Sequence, residues 1–272
     1  MSILSQLAIA VPALLVAGAA AGFAGGLFGI GGGFVVVPAL IFLLPMIGVA
    51  PEEITHVAVG TSLASIIFTS IRSTMSHARR DAVDFALLRG WAPWVVLGTG
   101  LGTFVADFVT AAQLALIFGS GVLGFAVYFL LPARQGAPIF AGLPTGLPRA
   151  GIASALGVFS TLLGIGGGTL TTVTMTVCGA PIHRAIGTAA GMGAIIAIPA
   201  TIGFMVIGFG APGAGWGALG YVNLPAALAL IATSVLFAPY GVAAAHHLPA
   251  PVLRRAFAVY LAFIGIVMIA KS

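Results

Sequence analysis

Apolar residues fill this chain in long runs, and short polar or Gly/Pro-rich interruptions cut it into ten segments. They cover residues 5–28, 34–48, 54–76, 84–106 and 111–131, then 148–163, 169–180, 183–209, 218–244 and 251–270. A run of about 20 apolar residues crosses a bilayer as a helix, because its backbone must bond within its own segment there. Segments 34–48, 148–163 and 169–180 are short for a full crossing. They lie beside glycine clusters, which predicts helices broken at depth or folded back as re-entrant hairpins. The first segment does not read as a signal peptide, since Met1 to Gln6 hold no basic residue.

Composition narrows the class. Of 272 residues, 60% are hydrophobic and 6% charged, and the mean hydropathy is +1.21. A soluble domain carries about 25% charged residues, so this chain reads as an all-α polytopic membrane protein in contact with lipid. Its +5 charge forms no basic stripe interleaved with aromatics, so no nucleic-acid partner is expected. The single cysteine, Cys178, excludes a disulfide within the chain and a cysteine-built metal site. No metal or other cofactor is expected, and nothing in the sequence sets an oligomeric state.

Charge also orients the segments. Threaded alternately, they leave Arg72, Arg79, Arg80, Arg89, Arg134, Arg149, Arg184, Arg254 and Arg255 on one side. The other side holds Lys271 with Glu52, Glu53 and Asp107. Basic residues gather on the cytoplasmic side of membrane proteins, so both termini are expected outside. Asp81 and Asp84 beside Arg79 and Arg80 read as a solvated loop cluster.

The chain repeats itself. Gly29-Ile30-Gly31-Gly32-Gly33 recurs as Gly164-Ile165-Gly166-Gly167-Gly168, an offset of 135. His56-Val57-Ala58-Val59-Gly60-Thr61 recurs as His183-Arg184-Ala185-Ile186-Gly187-Thr188, an offset of 127. Val83-Asp84-Phe85 aligns with Val222-Asn223-Leu224, and Gly102 and Phe118 with Gly241 and Phe257, at offset 139. Five segments in each half make an odd number, so the second half enters the membrane from the opposite side. The expectation is two inverted-topology repeats, residues 1–131 and 148–272, joined by a cytoplasmic linker 132–147 in one membrane domain.

The glycine blocks are the candidate chemistry. Consecutive glycines permit positive φ, and the helix that follows begins with unpaired N–H groups and about half a positive charge. Two inverted blocks would bring two such helix starts to one midplane pocket suited to an anion. The candidate substrate-binding residues are Gly31, Gly32, Gly33, Gly166, Gly167 and Gly168, with the hydroxyls of Thr61, Ser62, Thr169 and Thr188 nearby. At 1.5 Å of rise per residue, Thr61 lies roughly 10 Å below the surface. The polar lining is uneven, because Thr169, Thr171 and Thr172 follow the second block while Phe34, Val35 and Val36 follow the first. His56 and His183 read either as interfacial helix caps or as a gate or proton relay. Pairs such as Gly18/Gly22 and Gly98/Gly102 read as close helix packing, and Arg72 as a side chain reaching the cytoplasmic headgroups. No acidic residue falls within a segment core, which argues against a carboxylate relay. No catalytic motif is present, so an enzyme is the weakest class.

Paired GIGGG blocks, each followed by an HxxxGT block, in a small inverted-repeat membrane chain resemble the TauE/SafE family of sulfite and organosulfonate exporters. The resemblance implies a multi-pass carrier of the bacterial inner membrane for small sulfur-containing anions such as sulfite, sulfoacetate or thiosulfate. Ala189 stands where the first half has Ser62, so that contact is not duplicated. A negative interior expels an anion with about 2.3 kcal/mol per charge per 100 mV, which favours export without a coupling ion. Two other classes remain: a passive anion channel, which needs a polar-lined pore, and a sulfur-relay protein built on Cys178.

Overall fold

The computed structural model describes residues 3–130, 142–247 and 250–271. Arg134 and residues 132–141 of the linker lie outside the described residues, as do the side chains of His246, His247, Arg254 and Lys271. The apolar segments are helices: α1 (Ile3–Phe28), α2 (Gly33–Leu43), α3 (Ile54–Ala78), α4 (Phe85–Asp107) and α5 (Ala111–Leu130). They continue as α6 (Gly146–Leu162), α7 (Gly168–Val177), α8 (Ile182–Ile207), α9 (Leu224–His247) and α10 (Ala250–Lys271). A 3-10 turn, Leu44–Ile47, extends α2. Among the described residues, five helices are long and apolar enough to cross a membrane, and large side chains such as Val16 on α1, Phe104 on α4, Leu228 on α9 and Phe263 on α10 are exposed. The protein is an all-α polytopic membrane protein.

One stretch departs from the expectation. Residues 218–223, the predicted start of a helix, form instead a two-strand hairpin, β1 (Ala218–Leu219) paired antiparallel with β2 (Val222–Asn223). Gly217 and Gly220 hold φ of 72° and 57° there, turning the chain where an apolar run alone reads as helix. Asn223 then starts α9, its Oδ1 accepting from the Ala226 N–H at 3.0 Å.

Small residues decide how the helices pack. On α1, a β-carbon at Gly22 would strike the Ser234 carbonyl of α9, and one at Gly26 the Ala238 carbonyl. On α6, a β-carbon at Gly157 would strike the Val95 carbonyl of α4. The sequence offsets carry one interface onto the other, Gly22 to Gly157 and Val95 to Ser234. Close backbone approach of this kind is how helices associate where lipid removes the hydrophobic drive. Each half therefore lends a helix to the other: α1 lies on α9, α6 lies on α4, and α3 and α8 pack together between them.

Candidate functional site

Each glycine block is the turn between two helices, residues 29–33 joining α1 to α2 and residues 164–168 joining α6 to α7. Gly29, Gly31 and Gly32 have φ of 68°, 68° and 85°, and Gly164, Gly166 and Gly167 have 60°, 63° and 73°. A side chain in this left-handed region costs about 1–2 kcal/mol, so three glycines in each block are conformational. Gly33 and Gly168 serve contact instead. A β-carbon on Gly33 would strike the Gly164 carbonyl, and one on Gly168 would strike the Gly29 carbonyl. The two turns thus meet backbone to backbone. Ile66, midway along α3, reaches both: its Cγ2 lies 2.8 Å from the β-carbon position of Gly31 and 2.7 Å from that of Gly166. Residues Gly29 to Phe34 and Gly164 to Thr169 are all buried.

Both α2 and α7 start at this crossing, after Gly32 and Gly167, and neither start has a side-chain cap. Their leading N–H groups and partial positive charge are therefore directed at the centre of the helix bundle. Ser62 is drawn into the crossing, its hydroxyl donating to the Gly164 carbonyl at 2.9 Å. Thr169, second residue of α7, is buried there too, with no partner for its hydroxyl.

Thr61 and Thr188 take a different position from the one their motif suggests. The Asn223 N–H donates to the Thr61 hydroxyl at 2.9 Å, and the Asp84 N–H donates to the Thr188 hydroxyl at 2.8 Å. The preceding glycines admit the same loops: a β-carbon on Gly60 would strike the Tyr221 carbonyl, and one on Gly187 the Ala82 carbonyl. Each Gly-Thr pair thus receives the residues that begin a helix of the other half. Asp84 caps α4 by accepting from the Leu87 N–H at 2.9 Å, as Asn223 caps α9. An Asp or Asn just before an apolar run is a helix-start signal, so these two braces were within reach of sequence reasoning that aligned 83–85 with 222–224.

A family model described as "Sulfite exporter TauE/SafE" matches residues 14–268. The chain belongs to the TauE/SafE family. A "Probable membrane transporter protein" of Haemophilus influenzae is 35% identical over 259 residues, covering 94% of this chain and 97% of the relative. One so described from Methanocaldococcus jannaschii is 28% identical over 272 residues, covering 95% of each. In Bacillus subtilis, the "Probable membrane transporter protein YunE" is 32% identical over 123 residues, 44% of each chain. No solved structure matches. The chain is a multi-pass membrane protein of a transporter family.

In this TauE/SafE chain the two motif histidines are not equivalent. His56 is 6% exposed, and its Nε2 donates to the Ala106 carbonyl at 3.1 Å, so it joins α3 to the end of α4 rather than capping its own helix. Its ring lies 5.0 Å from that of Tyr221. Burial, then a hydrogen bond to Glu53, pushes the Tyr221 phenol up to about 12, so it stays protonated and donates to the carboxylate. His183 is exposed at the start of α8. The Asp81/Asp84 cluster is split: Asp84 pairs with Arg184 at 3.0 Å, while Arg80 donates to the Val242 carbonyl at 3.0 Å. Arg72 is half-buried and Cys178 ends α7. A groove of about 420 Å³ between α3, α4 and α8, lined by Ile71, Met75, Leu88 and Arg89 among others, is almost wholly apolar and shares no residue with the crossing.

Proposed function

We propose that this TauE/SafE protein exports a small sulfur-containing oxyanion, such as sulfite or an organosulfonate, across the bacterial inner membrane. The observation that carries the reading is the crossing itself: two uncapped helix starts meet, backbone to backbone, beside the midpoint of α3. Glycine turns expose N–H groups without side chains, and such groups bind compact anions. Non-helical backbone at this depth is tolerated where it is buried or lines a cavity. The exchange of α1 and α6 between the halves supports the inverted repeat, and with it alternating access around a fixed site. Both blocks are buried, so this conformation is closed, and transport requires the two turns to part. Gly166 to Gly168 and Thr169 hold the anion, and Gly31 to Gly33 form the facing wall; Ser62, Thr61 and Thr188 hold the frame around it. His56 links α3 to α4 on the outer side and is the place for a gate.

Reconstitution in proteoliposomes tests this directly. An imposed potential, negative on the substrate side, is expected to drive sulfite, sulfoacetate or thiosulfate out with saturable kinetics. A neutral solute is expected to stay. Flux of the neutral solute or of a cation in preference to every anion would overturn the proposal.

The orientation has its own test. On a Cys178→Ser background, Ala78→Cys is expected to resist an impermeant maleimide in intact cells, whereas Phe108→Cys, 71% exposed at the other end of α4, is expected to react. The reverse pattern would place the termini in the cytoplasm.

A further inference from the structure

The crossing is symmetric in backbone and unsymmetric in side chains. Ser70, Ser160 and Thr169 are 0%, 0% and 1% exposed, and none of their hydroxyls has a partner. Buried helix hydroxyls ordinarily bond back to a carbonyl one turn earlier; several near the crossing do, while Ser73 and Thr172 also lack a partner. Thr161 bonds to Gly157 at 2.8 Å, Thr171 to Gly167 at 2.9 Å and Thr174 to Leu170 at 2.8 Å. A buried hydroxyl without a partner is costly, so three at one crossing call for a ligand.

They gather at the crossing, Ser160 and Thr169 on the second block and Ser70 between the two blocks. The Ser160 Oγ lies 2.9 Å from the β-carbon position of Gly167, the residue preceding α7. The Ser70 Oγ lies 3.3 Å from that of Gly31 and packs against Gly193, whose own β-carbon position is 3.4 Å from the Gly166 carbonyl. Thr169 is on the first turn of α7. The sequence offsets give these residues apolar mates: Gly25 for Ser160, Phe34 for Thr169 and Ala197 for Ser70. At the start of α2, Phe34 is fully buried and packs edge-on against Phe125 at 5.6 Å.

We infer that the anion binds at one end of the crossing only, on the N-terminus of α7, with Ser70, Ser160 and Thr169 each donating a hydroxyl to it. The inference rests on the anion-transport reading above and adds the residues and the ligand class. Three O–H donors beside leading N–H groups suit a deprotonated oxyanion with three or more acceptor oxygens, a sulfite or sulfonate head, better than a two-oxygen carboxylate. The α2 end is a plug: it shapes the far wall and contributes no donor side chain.

Two measurements with sulfite as probe test this: KM for flux in proteoliposomes, and sulfite-induced stabilisation of the purified protein against heat. Ser160→Ala, Ser70→Ala and Thr169→Val are each expected to raise KM about tenfold or more, the scale of one hydrogen bond to a charged group. Each should reduce the thermal shift while leaving the ligand-free melting temperature near that of the unmodified protein. Thr169→Ser retains the donor and is expected to restore KM; Thr174→Val, whose hydroxyl bonds back to Leu170, is expected to change nothing. If the unmodified protein responds to sulfite and the three variants respond equally, the one-ended site is overturned and anion transport stands. If the unmodified protein neither transports nor is stabilised by any of sulfite, sulfoacetate or thiosulfate, the transport reading falls and this inference with it.

Discussion

Gly168→Ala is expected to reduce flux about tenfold or more and to lower the yield of folded protein, with Gly33→Ala close behind. The reason is the kind of atom the new methyl group would meet. At Gly168 it is the Gly29 carbonyl, with the Ile30 Cα at 2.5 Å; at Gly33 it is the Gly164 carbonyl, with the Ile165 Cα at 2.7 Å. A side chain could rotate away, but these are backbone atoms of the opposing turn, itself held in left-handed geometry. Forcing a methylene-sized group into packed surroundings costs about 1–3 kcal/mol, and more where relaxation is blocked; every 1.4 kcal/mol is about tenfold. Gly100 on α4 has nothing within 4 Å of its β-carbon position, so Gly100→Ala is the neutral comparison, expected within about 0.5 kcal/mol. Flux and detergent melting temperature measured on all three decide the matter. Equal behaviour of Gly168→Ala and Gly100→Ala would mean that the turns are not in contact in the membrane.

Thr61→Val is expected to destabilise the protein by about 1–3 kcal/mol, the penalty of a buried N–H left without an acceptor, and Thr188→Val by less. Valine keeps the shape and removes the oxygen. The Asn223 N–H that bonds to Thr61 belongs to a residue 1% exposed. Asp84, served by Thr188, keeps 18% of its side chain exposed, so water can replace the lost acceptor there. Thr61→Ser keeps the oxygen and is expected to be close to the unmodified protein. Chemical or thermal unfolding in detergent reads the order. A Thr188→Val loss exceeding that of Thr61→Val would contradict the burial argument.

The helices were legible from the apolar runs because lipid leaves the backbone no alternative to bonding with itself. The exception, residues 218–223, is informative: the run is apolar, but Gly217 and Gly220 turn it and Asn223 restarts the chain as a helix. The glycine blocks were legible as turns. Their meeting was expected from the inverted placement; the atoms in contact were not, since nothing in a Gly-Ile-Gly-Gly-Gly string names the backbone that will press on it. The HxxxGT motif was read as a hydroxyl near the substrate, and its Gly-Thr is a socket for the other half's helix start. Its histidine could be sorted only by fold, because His56 meets the Ala106 carbonyl across 50 residues while its mate His183 is exposed. Ser70 and Ser160 escaped notice because neither belongs to a duplicated motif; the signal was the reverse, a hydroxyl whose repeat mate is Ala197 or Gly25.

The exchange of helices between halves bears on how the protein is made. The glycine face of α1 fits α9, and the Thr233 hydroxyl of α9 bonds to the Leu15 carbonyl across 218 residues. Synthesis proceeds at about 5–20 residues per second, so α1 waits ten seconds or more in the bilayer before its partner is inserted. During that interval its glycine stripe lies against lipid or against whatever helix is at hand. Nascent chains halted before α9 therefore lack the helix that this stripe fits.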